Sequence, residues 1–186
     1  MKTIVLVVGH NAERGDRGAK AADGSWEHDF NDSLAPEIAA RVTGGQVILE
    51  KYRAGGGNVR RFDDYDADLI VELHCNSALT DRATGSEVLY ALGSPRGSSA
   101  AIALQRHFIA ALELPNRGIK PIGDRRDDEG NWLERGAYLL WGVRAPCLIG
   151  EPFFINNASD LQRARDRRPA LIAAYAASID AIAGKL

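Results

Sequence analysis

A chain of 186 residues, 45% hydrophobic and 26% charged, has the makeup of a folded domain, long enough for one substantial core and short for two. A formal net charge of −2 argues against nucleic acid as a partner, because release of counterions from phosphates needs a basic face. Two cysteines, Cys75 and Cys147, are too few for a zinc-finger set or a disulfide scaffold, and both read as small apolar filler in buried strands.

In chain order, the first apolar run is Thr3 to Val8, a strand. Its core, Ile4 to Val8, is shorter than the apolar centre of a signal peptide and lacks a small-residue cleavage site, so synthesis in the cytoplasm without a signal peptide is expected. No later run approaches a membrane span, and no stable membrane association is expected. Asn11 to Ser25 reads as a loop. It leads into a helix from Trp26 to Val42, on which Phe30, Leu34, Ile38 and Val42 form an apolar stripe; Ser25 is its expected N-cap, and Pro36 is expected to kink or split it. A strand follows at Gln46 to Leu49. Arg53 to Asn58 is a loop whose Gly55 to Gly57 run lacks the Gly-Lys-Ser/Thr ending of a phosphate cradle.

Further strands fall at Asp68 to Leu73, Glu87 to Leu92 and Cys147 to Ile149, with a helix from Ser99 to Leu112 and a charged loop from Gly123 to Asn131. The last helix runs from Asp160 to Ile182 with a break at Pro169, and Arg163, Arg165, Arg167 and Arg168 form a solvated face. Nearly continuous apolar strands alternating with helices indicate an α/β fold: a single-domain, mixed, largely parallel twisted sheet flanked by helices on both faces. No repeat or linker divides the chain, so residues 1–186 read as one domain.

Four polar residues stand at the ends of these elements. His10 closes the first strand, Glu27 opens the first helix, His74 closes DLIVELH, and Glu151 follows PCLIG. Imidazole nitrogens and carboxylate oxygens are ligands that zinc favours, and a site with three of them leaves room for water that a further carboxylate can deprotonate. His10 and His74 arrive at the carboxyl-terminal edge of the sheet, where α/β folds place their ligands. Strand alternation turns Cys75 away from His74, which makes the cysteine a poor fellow ligand. Glu151, set among apolar residues, should have a raised pKa suited to moving protons. His28 and His107 read as packing or helix-surface residues.

The order of these landmarks resembles the zinc-dependent N-acetylmuramoyl-L-alanine amidases called amidase 3. Gly9-His10 followed by Asp16, Gly18 and Ala19 is similar to the family's Gly-His…Asp-x-Gly-Ala opening, and Glu27 to its helix-borne ligand. Glu72-Leu73-His74-Cys75-Asn76, Gly85-Ser86-Glu87-Val88 and Arg117-Gly118-Ile119-Lys120 follow in order, as do Pro146, Leu148, Glu151, Phe154 and Asn157. Two departures stand out. The segment before the histidine strand is short, and the closing element reads Gly150-Glu151-Pro152-Phe153-Phe154.

The resemblance implies a single amidase catalytic domain, without a separate wall-binding domain, that hydrolyses the amide between N-acetylmuramic acid and L-alanine in peptidoglycan. One zinc ion (Zn2+) per chain is implied, held by His10, Glu27 and His74, with Glu151 as catalytic base, Asn76 as a substrate-orienting residue and Asp16 supporting a ligand. The expected setting is a monomeric phage or prophage endolysin that acts on the wall after release. A metal-dependent exopeptidase or deacylase, or a non-catalytic wall-binding regulator, are the alternatives.

Overall fold

The computed structural model describes residues 1–12, 15–51 and 59–186. Six strands are present: β1 (Lys2–Val8), β2 (Gly45–Lys51), β3 (Leu69–Leu73), β4 (Ser86–Ala91), β5 (Asn116–Ile122) and β6 (Cys147–Glu151). They form one sheet in the order β2-β1-β3-β6-β4-β5. β2, β1, β3 and β6 run parallel, and β4 lies antiparallel to β6 while pairing parallel with β5. The carboxyl ends of β1, β3 and β6 therefore lie beside the start of β4.

Alternation gives the sheet two apolar faces. Ile4, Leu6, Val8, Leu69, Val71, Leu73 and Leu148 pack against three long helices, α1 (Glu27–Ala39), α2 (Pro95–Leu112) and, past the short α3 (Ala137–Leu140) and α4 (Ala158–Asp166), α5 (Arg168–Ala183). Val5, Val7, Ile70, Leu89, Cys147 and Ile149 face the other way, onto a 3-10 helix (Val59–Tyr65) and α3. Helices thus cover both faces, as expected, but unequally. Each Leu, Ile or Phe buried in these layers stabilises the fold by roughly 1.5–3 kcal/mol.

Several boundaries differ from expectation for identifiable reasons. The N-cap of α1 is Trp26, not Ser25, because the Ser25 hydroxyl donates to Asp23 Oδ1 at 2.7 Å instead of capping the helix. The helix also runs through Pro36 unsplit, with Leu34, Ala35 and Ile38 buried on either side of it. α2 begins four residues earlier than expected: Ser94 caps it by accepting from Gly97 N, and Pro95 occupies a first-turn position where its missing N–H is harmless. The expected break near Pro169 falls at Arg167, between α4 and α5. β5 was not anticipated, since Gly118 and Pro121 interrupt the apolar pattern; an edge strand tolerates both. The Gly55 to Gly57 run lies outside the described residues.

Candidate functional site

The ends of β1 and β3 are held so close that only glycine fits between them. A Cβ on Gly9 would lie 2.4 Å from His74 Nε2, and the Gly9 N–H donates to Leu73 O at 3.1 Å. Directly after it, His10 has φ 66, a left-handed conformation that a residue with a Cβ rarely adopts. That turn takes His10 out of the alternation of β1 and aims its ring at α1. Gly18, at φ +71, closes the other side: a Cβ there would come within 2.4 Å of His10 Cδ2 and 2.6 Å of Glu27 Oε2.

Glu27, in the first turn of α1, sits at the centre and is fully buried. Its Oε1 accepts from Cys75 N at 2.9 Å and lies 2.9 Å from His74 Nδ1; its Oε2 accepts from Ala19 N at 2.9 Å and lies 3.2 Å from His10 Nε2. Burial favours the neutral acid, but the two imidazoles outweigh it and hold the carboxyl well below the usual range. For both histidines burial works against the charged ring, and the carboxylates around them reverse that and raise their pKa values: Glu27 for His10, Glu72 and Glu27 for His74. One potential ligand atom from each of His10, Glu27 and His74 lies within 4.8 Å of the others.

Each imidazole is also gripped from behind. His10 Nδ1 lies 2.9 Å from Asp16 Oδ1, and His74 Nε2 lies 3.3 Å from Glu72 Oε1. The two nitrogens left over, His10 Nε2 and His74 Nδ1, point at Glu27. This is the carboxylate–imidazole arrangement that sets ligand orientation at metal centres. His10 Nε2 is buried without a hydrogen bond of its own, so the donor set, the glycine-lined cradle and an orphaned imidazole nitrogen all fit a zinc-sized cation.

Glu151 is the last residue of β6 rather than the residue after it, and is 2% exposed. Burial raises its pKa to about 7. Oε1 lies 3.5 Å from Arg135 Nη2, while Oε2 is buried with no partner. A cavity of about 210 Å³ joins Glu151 to His10, His74, Glu72, Arg135 and Tyr138. A carboxylate poised near neutrality beside a trio that could hold a cation can take a proton from water and give it up again.

The structure thus brings together all four residues singled out in the sequence. Asn76 is close by but buried, with Nδ2 donating to Glu87 Oε1 at 2.5 Å. Cys75 faces away, its sulfur against Asn31. His107 lies elsewhere, between Ala103 O and Ser178, and His28 is buried beside Asp29. Sequence reasoning missed the roles of Glu72 and Arg135. Glu72 was findable, being an acid two residues before His74 in an otherwise apolar strand and so on the same face. Arg135 follows the charged loop and carries no such signal.

This layered α/β architecture, which gathers His10, Glu27 and His74 beside the carboxyl-terminal edge of the sheet, has the same fold as several solved structures. The catalytic domain of CwlV, an N-acetylmuramoyl-L-alanine amidase from Bacillus (Paenibacillus) polymyxa var. colistinus, superposes with a TM-score of 0.78 at 21% identity, covering 96% of both chains. An N-acetylmuramoyl-L-alanine amidase from Clostridium difficile 630 gives 0.79 at 18% identity over 96% of this chain and 94% of that one. An endolysin catalytic domain targeting Clostridia difficile gives 0.78 at 23%, over 96% and 97%. No curated protein sequence matches the chain. Residues 4–181 match the amidase 3 family, described as N-acetylmuramoyl-L-alanine amidase, and the chain belongs to that family.

Proposed function

We propose that the protein is a zinc-dependent peptidoglycan hydrolase cleaving the amide between the lactyl group of N-acetylmuramic acid and L-alanine of the stem peptide. The observation that carries this reading is the convergence of His10, Glu27 and His74 within 4.8 Å, with the two histidines lining one cavity together with Glu151, one of whose oxygens is unpartnered. His10 Nε2, a Glu27 oxygen and His74 Nδ1 would hold one zinc ion per chain, with Asp16 and Glu72 fixing the rings. A zinc ion held there supplies a Lewis acid for the amide carbonyl and acidifies water.

Glu151 takes a proton from the attacking water as its oxygen bonds to the carbonyl carbon, then delivers that proton to the nitrogen as the carbon–nitrogen bond breaks. The products are the muramoyl carboxylate and a free L-alanyl peptide. Asn76 serves substrate orientation through Glu87, which its amide engages. We read the setting as that of a phage or prophage endolysin, monomeric and acting at the wall after release; the likeness to an endolysin catalytic domain supports it. Among the described residues no helix is long and apolar enough to cross a membrane.

Purified peptidoglycan provides the test. The wild type should release stem peptides with a new L-alanine amino terminus, seen by mass spectrometry, and lose that activity to a chelator. Glu151→Ala should keep zinc by elemental analysis while release falls by about 10²–10⁴-fold; His74→Ala should lose both. Full activity in Glu151→Ala sinks the assignment of the base. Cleavage of short peptides or acyl amino acids with intact peptidoglycan untouched favours an exopeptidase or deacylase instead. Lysis of intact cells expressing the protein only when a membrane lesion is supplied supports the endolysin setting, and lysis without one counts against it.

A further inference from the structure

A second cavity, of about 490 Å³, adjoins the first and shares Leu89, Arg135 and Glu151 with it. Its far wall is β5, from which Arg117 and Lys120 both enter. Residues three apart on a regular strand face opposite sides. Here β5 advances three residues while β4 advances two, Ser86 pairing with Asn116 and Val88 with Ile119, and Gly118 at φ 81 absorbs the extra residue. The bulge therefore turns Arg117 and Lys120 to the same side, toward Leu89 and Glu151.

Along the β5 wall of this cleft the groups to spare are hydrogen-bond donors, set across from the unpartnered Glu151 oxygen. Glu87 is taken up by Asn76 and by Arg117 Nε, at 2.5 and 2.8 Å, and Glu134 accepts from Gly123 N at 3.0 Å. Arg117 is fixed by that bond and by stacking 4.8 Å over the Phe154 ring, yet its two terminal nitrogens bond to no described residue. Lys120 Nζ donates only to Arg117 O, at 2.8 Å. Arg135 stands where the two cavities meet, with 59% of its side chain exposed.

Direction follows from the chemistry. Glu151 gives its proton to the departing amine, so the peptide side of the scissile amide lies next to Glu151, and the cleft opens beyond it, away from His10 and His74. We propose that this cleft is the subsite for the leaving peptide and that Arg117 and Lys120 bind a free carboxylate on it, so that the enzyme prefers acidic stem peptides to amidated ones. The inference rests on the amidase reading above. Guanidinium and ammonium donors in fixed positions favour a carboxylate over a neutral amide, because the amide brings its own donors against theirs.

Two synthetic muramoyl-peptides test it, identical except that the peptide carboxylates are free in one and carboxamides in the other. Wild-type kcat/KM should favour the acidic substrate by roughly tenfold or more, chiefly through KM. In the Arg117→Gln, Lys120→Gln double variant that ratio should fall to about one, with Arg117→Lys retaining part of it. Should Arg117→Gln disturb Glu87 and the fold, Lys120→Gln alone should still cut the ratio several-fold. Equal turnover of both substrates by the wild type, or an undiminished preference in the variants, overturns the subsite. If the wild type hydrolyses neither substrate, the amidase reading fails by itself. NMR titration of the free peptides then decides the cleft: shifts at Arg117 and Lys120 with the acidic peptide alone uphold it, and their absence overturns it.

Discussion

The two halves of the site are built on opposite plans. Both Glu27 oxygens are engaged: each accepts a backbone N–H group and faces an imidazole, and each imidazole is braced by a further acid. Around Glu151 the reverse holds, with one oxygen unpartnered and the other near a half-exposed arginine. On the proposed mechanism, the group that would hold an ion is over-determined, and the group that would accept and release a proton is left short of partners, at a cost in stability that burial makes large.

Removing Glu27 attacks the rigid half and should have the largest effect. Glu27→Ala strands two buried backbone donors and uncouples both histidines, so we expect loss of bound zinc and destabilisation of about 3 kcal/mol or more, read by denaturant unfolding of the chelated protein. Glu151→Gln addresses the open half with the opposite sign. The native carboxyl binds its proton more tightly than the unfolded one, with a pKa raised from 4.5 to about 7. That advantage is complete below the unfolded pKa and is lost as pH rises from 4.5 to about 7. The chelated Glu151→Gln protein should therefore be more stable than the wild type at pH 8, by roughly 3 kcal/mol at most, with the difference gone in acid. No pH dependence in that difference contradicts the buried, unpartnered state of Glu151. By the same carboxyl group, hydrolysis should decline in acid, where Glu151 is protonated and cannot take a proton from water.

Two glycines in one loop separate cradle from backbone. Gly15 and Gly18 both have positive φ, but a Cβ meets nothing within 4 Å at Gly15 and collides with His10 and Glu27 at Gly18. Gly15→Ala should lose about 1 kcal/mol of stability and no zinc affinity. Gly18→Ala should lose more stability and also weaken zinc, and equal effects would mean that the close approach is relieved cheaply. The smallest change is expected at His107→Ala, far from both halves: hydrolysis intact, and about 1 kcal/mol lost because the Ser178 hydroxyl, buried in α5, loses a partner.

The residues of the site were more legible than the sheet that carries them. His10, Glu27, His74 and Glu151 stand out because each is an ionisable group at the end of an apolar run, a local signal. Which strands neighbour one another is set by long-range pairing, and nothing within Glu87 to Leu92 announces that β4 runs against β6. β5 was hidden by Gly118 and Pro121, the same residues that suit it to a bulged edge. Ser25 looked like a cap because composition does not reveal that Asp23 competes for its hydroxyl. Asn76 was noticed for its polarity, but its engagement by Glu87 depends on β4 arriving from the far end of a loop.

The sheet order also constrains how the protein comes into being. β6, which carries Glu151, is the last strand in the chain and sits third from one edge, between β3 and β4. Until residues 147–151 insert, β3 and β4 each present an unpaired edge, and the partly made sheet is two ribbons rather than one. Such late, non-local closure slows folding and exposes sticky strands meanwhile. His10, Glu27 and His74 come from the first 74 residues and can assemble with β1 and β3, whereas Glu151, the proposed base, enters only when the sheet is sealed. On the proposed mechanism, chains interrupted before β6 should be hydrolytically silent, and hydrolytic competence would report that the whole sheet has closed.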